Sequence, residues 1–203
     1  MLGAGALNLD AASGHLGVLV GNGASRAEVA AATVGARIAA LAVVIVAWGL
    51  VLQAGSLALG LGLDGPLAVH TLAVAVGLLL TLLAAAAASS VVGPIAAGVF
   101  GAVVLVTAQA AVNLKAAADQ DLIGTADTGV SALYHVVPRA IVSPMISRLQ
   151  ARDAGGPAAP SLEINDNLVL VPSSGWGSVA WTLAWCVLLA LACATGLRRR
   201  PLA

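Results

Sequence analysis

Apolar residues along this chain are massed rather than spaced. Runs near 38–58, 67–88, 93–113 and 176–197 carry very few polar side chains. Each is as long as the about 20 helical residues needed to cross a hydrocarbon core. A helix apolar all round has no face to offer water. The pattern therefore predicts an all-α, polytopic membrane bundle with four spanning helices. The punctuation between runs agrees with this reading. Asp64, Gly65 and Pro66 form a turn after the first run, and Gly93-Pro94 breaks SSVVGP between the second and third. That second connection is short enough for a tight hairpin, or for a kinked or re-entrant pair. Trp176 sits where an interfacial anchor would begin the last run, and Arg198–Arg200 follow its end.

Two stretches escape the massed pattern. Residues 114–175 alternate polar and apolar pieces. Within them TGVSALYHVVPRAIVSPMISRLQA, residues 128–151, is cut by Pro138 and Pro144. It reads as short helices lying on the membrane surface. ARDAGGPAAPS reads as a flexible connector, and NLVLVP as a short strand or extended piece. The second stretch, 8–37, precedes the first span. Asp10 is placed to cap a short helix over 11–20, and Gly21-Asn22-Gly23 ends it. Ser25-Arg26-Ala27-Glu28 then has the spacing of a capping box, in which serine and glutamate each satisfy the other's backbone amide. The expected result is an interfacial helix, a sharp turn, and a new helix running past Arg37 into the bilayer.

Composition reinforces the solvent assignment. Of 203 residues, 60% are hydrophobic and 9% charged, and mean hydropathy is +1.01. Soluble domains carry roughly 25% charged residues. The net charge of zero excludes nucleic acid as an expected partner. Charge distribution sets orientation instead. Arg26 and Arg37 precede the first span and the arginine run follows the last, which predicts both termini on the cytoplasmic side of an inner membrane. Span parity then places 114–175 outside. Cys186 and Cys193 lie seven residues apart on one expected helix, about 10 Å, which is too far for a disulfide.

Candidate chemistry is sparse. His15, His70 and His135 fall on different segments, with no metal-ligand spacing around any of them. GAGALN and GLGLDG lack the strand and lysine of a phosphate loop. No nucleophile–base pair and no paired intramembrane carboxylates are visible, so neither catalysis, a cofactor nor a bound metal is expected. Gln53, Thr81 and Gln109 are the candidates for a polar translocation path, or for hydrogen bonds between helices. Small residues crowd the second and third spans, including Ala84–Ala88, Gly98 and Gly101, and predict close helix packing.

The run from Asp10 to Val29, D-x-x-S-G-x-L-x-x-L-x-x-x-G-x-S-R-x-E-V, resembles the cytoplasmic segment of ATP-binding-cassette exporter permeases of the second type. The A-L-Y-x-x-x-P stretch from Ala132 to Pro138 and the closing R-R-R add to the resemblance. It implies that residues 8–37 form a coupling helix and elbow docking on a separate cytoplasmic ATPase. The implied coupling residues are Asp10, Gly14, His15, Asn22, Ser25, Arg26 and Glu28. A second permease copy or a related permease is the other implied partner. In the family, proline usually stands before the S-R pair, where this chain has Gly21-Asn22-Gly23-Ala24. The family's two spans ahead of the coupling segment have no counterpart in these residues, which implies an N-terminally shortened form or a reduced permease. The function expected is export driven by ATP hydrolysed on the partner. The alternative is a non-transporting membrane scaffold or accessory protein.

Overall fold

A computed structural model describes residues 21–23, 25–119, 127–141 and 176–198. Five helices of eight residues or more cover most of these positions: α1 (Arg26–Ala58), α2 (Gly65–Ser89), α3 (Pro94–Asp119), α4 (Asp127–Val136) and α5 (Trp176–Arg198). No strand occurs among the described residues. α1, α2, α3 and α5 are long and apolar enough to cross a membrane. The chain is a multi-pass membrane protein with an all-α fold. The expected short helix over 11–20, the connector and NLVLVP lie outside the described residues.

The chain divides into two compact units, one formed by the described residues of Met1–Ala42, Leu78–Val106 and Thr182–Ala203, the other by those of Val43–Gly77 and Thr107–Trp181. The first unit is built on small side chains. Ala84, Ala86 and Ala97 have no exposed surface, and Leu80, Leu83 and Cys193 are buried with them. Gly101 of α3 sits so close to α2 that an added Cβ would lie 2.9 Å from the Thr81 carbonyl oxygen and 3.0 Å from the Ala85 Cβ. Cys193 of α5 reaches the Leu83 carbonyl with its thiol at 3.8 Å. Dispersion between close backbones, rather than expulsion of water, holds helices together in lipid. The crowd of small residues in the second and third runs thus has a direct structural use.

Between α2 and α3 the chain turns in Ser90–Gly93. Ser89 and Ser90 donate their hydroxyls to the Ala86 and Ala87 carbonyls. Pro94 opens α3 at the first helical position, where its missing N–H costs nothing. The short connection is therefore a hairpin between two separate helices.

The second unit contains the turn from α1 to α2, and its geometry follows from residue chemistry. Gly60 has φ +73°, the left-handed conformation that ends many helices. Gly60 N–H donates to the Leu57 carbonyl at 2.9 Å and Leu61 N–H to the Ser56 carbonyl at 3.0 Å, the bond pair of a Schellman motif. Asp64 is fully buried and caps α2, its Oδ1 accepting from Leu67 N–H at 3.2 Å. Gln53 faces the same residue: its Nε2 donates to the Asp64 carbonyl at 2.7 Å and its Oε1 accepts from Asp64 N–H at 3.0 Å. The Ser56 hydroxyl donates to the Gly62 carbonyl at 2.9 Å. A turn at the end of two spanning helices is thus stapled by α1 side chains.

Candidate functional site

The first candidate lies at the start of α1. Ser25 N–H donates to Glu28 Oε2 at 2.7 Å, and Glu28 N–H donates to Ser25 Oγ at 3.2 Å. The capping box expected from SRAE is formed in both directions. Two of the four amides that a helix start leaves without partners are satisfied locally. The hydrogen bonds from Ser25, that of its backbone amide foremost, hold the exposed Glu28 carboxyl below the usual glutamate range. Gly23, with φ +93°, and Asn22 form the exposed turn just before the box. Asp10, Gly14 and His15 lie outside the described residues, as does the side chain of Arg26.

Helix length decides where this box stands. α1 has 33 residues, about 50 Å at about 1.5 Å per residue. Its charge-free apolar part, 38–58, takes about 31 Å of that, which matches a hydrocarbon core of about 30 Å. Residues 26–37 therefore extend about 18 Å beyond it. Glu28, Thr33 and Arg37 all fall in this extension. Val29 and Val34 are buried within it, so the extension is packed on one side while Glu28 stays exposed.

A second cluster, within the 128–151 stretch read from the sequence as interfacial, gathers around Arg139 in the second unit. The guanidinium lies over the Tyr134 ring at 3.9 Å and near the Trp181 ring at 5.8 Å. Its Nε donates to the Tyr134 carbonyl at 3.0 Å, and an Nη stands 3.3 Å from His135 Nδ1. Tyr134 Oη and Ser178 Oγ are 3.2 Å apart, and Trp181 Nε1 donates to the Val137 carbonyl at 2.9 Å. α4 and the irregular stretch after it are thereby pinned to the first turns of α5. Ala140 N–H also donates to the Ala108 carbonyl at 3.2 Å. Residues 137–141 are not helical, and this bond brings them against the body of α3. After α4 a buried Pro138 interrupts the helix, and the irregular backbone beyond it packs on protein.

The three residues expected on a polar path have different surroundings. Gln53 has both polar atoms engaged by Asp64. Thr81 supplies the carbonyl against which Gly101 packs. Gln109 is exposed, and its Nε2 donates to Asn113 Oδ1 at 3.3 Å. Among the described residues no group of three or more histidine, cysteine or carboxylate side chains is arranged to hold a metal ion. No protein-family model, curated protein or solved structure matches the chain.

Proposed function

We propose that this chain is the membrane-spanning subunit of an exporter of the ATP-binding-cassette type, with ATP hydrolysed on a separate cytoplasmic subunit. The observation that carries this reading is the closed Ser25–Glu28 box at the head of a helix about 18 Å longer than its membrane-spanning part. A helix that only anchors a protein has no need of a rigid extension. A helix that receives a push does, because force applied at its end reaches the spanning part without being absorbed by a joint.

The topology supports the same reading. The start of α1, the Ser90–Gly93 turn and the end of α5 belong to one unit, as they do when an even number of spans puts both ends on one side. Arg26, Arg37 and Arg198 mark that side as cytoplasmic, in the inner membrane. ATP-driven closure of the partner would press on the elbow around residues 10–28. Asp10, Gly14, His15, Asn22 and Arg26 would supply contacts, while Ser25 and Glu28 fix the geometry. A second copy of the chain or a related permease would complete the path.

Two experiments test this. Tagged protein is recovered from its own membranes and co-purifying proteins are identified by mass spectrometry. A stoichiometric ATPase of the cassette type is expected, and recovery without one favours a non-transporting scaffold. Ser25→Ala with Glu28→Ala, reconstituted with that ATPase, should leave ATP hydrolysis running while transport is lost. Transport at the wild-type rate in the double variant would sink the coupling role.

A further inference from the structure

Among the described residues one buried polar side-chain atom has no hydrogen-bond partner, the indole Nε1 of Trp185. One turn earlier the same residue type is satisfied, since Trp181 donates its Nε1–H to the Val137 carbonyl. Tryptophan usually stands at the membrane interface, where its ring meets lipid and its N–H meets water. Trp185 stands nine residues after Trp176 and thirteen before Arg198. That is about 14 Å and about 20 Å of helix axis from the two ends of α5, deep in the hydrocarbon span. A bare N–H there is costly, because neither lipid tails nor apolar side chains accept hydrogen bonds.

The surroundings define what can meet it. Thr182, Cys186 and Cys193 are buried on one face of α5, and the Cys193 thiol reaches the Leu83 carbonyl of α2. That face therefore looks into the first unit. Trp185 lies at the edge of the face, half-buried, with its nitrogen covered. Thr182 stands three residues before it, a helix neighbour whose side chain can share a small ligand. A hydroxyl makes up to three hydrogen bonds, whereas the indole is a donor only, so the partner of Trp185 must bring an acceptor. In this unit no Asp, Glu, Lys or Arg occurs in 78–106 or 182–197. An anionic acceptor would give up its hydration with no cation in exchange. An uncharged oxygen has no such cost.

We propose that the Trp185 N–H is the donor of a binding point inside the bundle for an uncharged oxygen acceptor. The acceptor is a water molecule, or a carbonyl, ether or hydroxyl oxygen of a neutral lipophilic compound. Water in a protein interior makes two to four hydrogen bonds, and the Thr182 hydroxyl is the neighbour able to supply another. The binding point itself rests on the membrane reading alone. Its consequence for cargo rests on the exporter reading: a compound crossing this bundle is recognised through a neutral oxygen rather than through charge.

Nuclear magnetic resonance of the full chain, labelled with nitrogen-15 tryptophan in detergent micelles, tests it. Four indole N–H resonances are expected. The one lost in Trp185→Phe belongs to Trp185, and single Phe replacements of the other three tryptophans assign it by elimination should that variant not fold. Triethylphosphine oxide, a neutral compound with one strong acceptor oxygen, should shift this resonance saturably. Exposed Trp48 should only drift in proportion to the amount added. Diethyl phosphate, similar in size but anionic, should leave Trp185 unmoved. A cross-peak to water that fades as the phosphine oxide binds assigns water as the resting occupant. A saturable shift with no earlier water cross-peak assigns the point to neutral compounds. A water cross-peak with no response to the phosphine oxide supports the binding point and overturns its consequence for cargo. Neither a water cross-peak nor a saturable shift would overturn the proposal, as would an equal response to diethyl phosphate. Absence of a co-purifying ATPase would sink the exporter reading and leave these spectra unchanged.

Discussion

Three glycines within spanning helices separate the packing argument from the propensity argument. Replacing a helical glycine by alanine gains up to about 1 kcal/mol of helix stability wherever the methyl group has room. Gly55 of α1 has nothing within 4 Å of the position its Cβ would take. Gly55→Ala should keep the whole gain. At Gly49 the new Cβ would stand 3.3 Å from the Thr71 Cγ2. That threonine is held by its hydroxyl bond to the Leu67 carbonyl at 2.9 Å, yet a shift of a few tenths of an ångström relieves the contact, so the net change should be near zero. At Gly101 the neighbours are the Thr81 carbonyl oxygen at 2.9 Å and the Ala85 Cβ at 3.0 Å. Comfortable carbon contacts lie at about 3.5–4.0 Å, so the two helices must part by about half an ångström along the whole contact. Overpacking of this kind costs about 1–3 kcal/mol. After the propensity gain is subtracted, Gly101→Ala should be destabilised by up to about 2 kcal/mol, and the spread between it and Gly55→Ala should be about 1–3 kcal/mol. Reversible unfolding in mixed micelles, followed by the fluorescence of the four tryptophans, measures all three. A Gly101→Ala protein as stable as Gly55→Ala would refute the claim that α2 and α3 meet at that point.

Other consequences can be checked individually. Gln53→Glu replaces the donor facing the Asp64 carbonyl with an oxygen, so it should destabilise the α1–α2 turn by about 1–3 kcal/mol, whereas Gln53→Met should lose less, both read by the same unfolding assay. Arg139→Leu removes the ring stacking and the bond to the Tyr134 carbonyl; amide exchange at Ala140 should quicken roughly tenfold or more, and an unchanged rate would deny Arg139 its pinning role. The Glu28 carboxyl is lowered in the folded chain, so its contribution is present above the ordinary glutamate range and is lost as pH falls through its folded value. Protection of the Ser25 amide, which donates to this carboxylate, measured relative to its intrinsic exchange rate should fall over that acidic window in wild type, and Glu28→Gln should abolish the dependence.

Much of the fold was legible because its signals are local. Continuous apolar runs, Gly93-Pro94, and the three-residue spacing from Ser25 to Glu28 each act within a turn or two of helix. The small residues of the second and third runs announced close packing, though not that Gly101 would meet Thr81. The Arg139 cluster was hidden because its parts are far apart in sequence: Tyr134 meets Ser178, and Trp181 meets Val137, each 44 positions away. Gln53 was ambiguous for a related reason. A glutamine in an apolar run fits a path or a bond to a neighbouring helix, and nothing in the run shows that both its polar atoms engage a turn residue 11 positions on. Gln109 carried the same signal and keeps its polar atoms outward, so residue type alone did not separate the two.

The bonds around residues 134–140 also bear on how the protein is made. Ribosomes release Ala108 first, then Arg139, and only later Ser178 and Trp181. When Arg139 leaves the translocon, the Tyr134 ring is at hand but the indole of Trp181 does not yet exist. The segment from Asp127 to Ile141 must therefore wait, solvated or chaperoned, until α5 has entered the bilayer. Its docking is a late act of biogenesis, and a chain cut short before Trp176 should be inserted in three spans yet be open to protease at this segment.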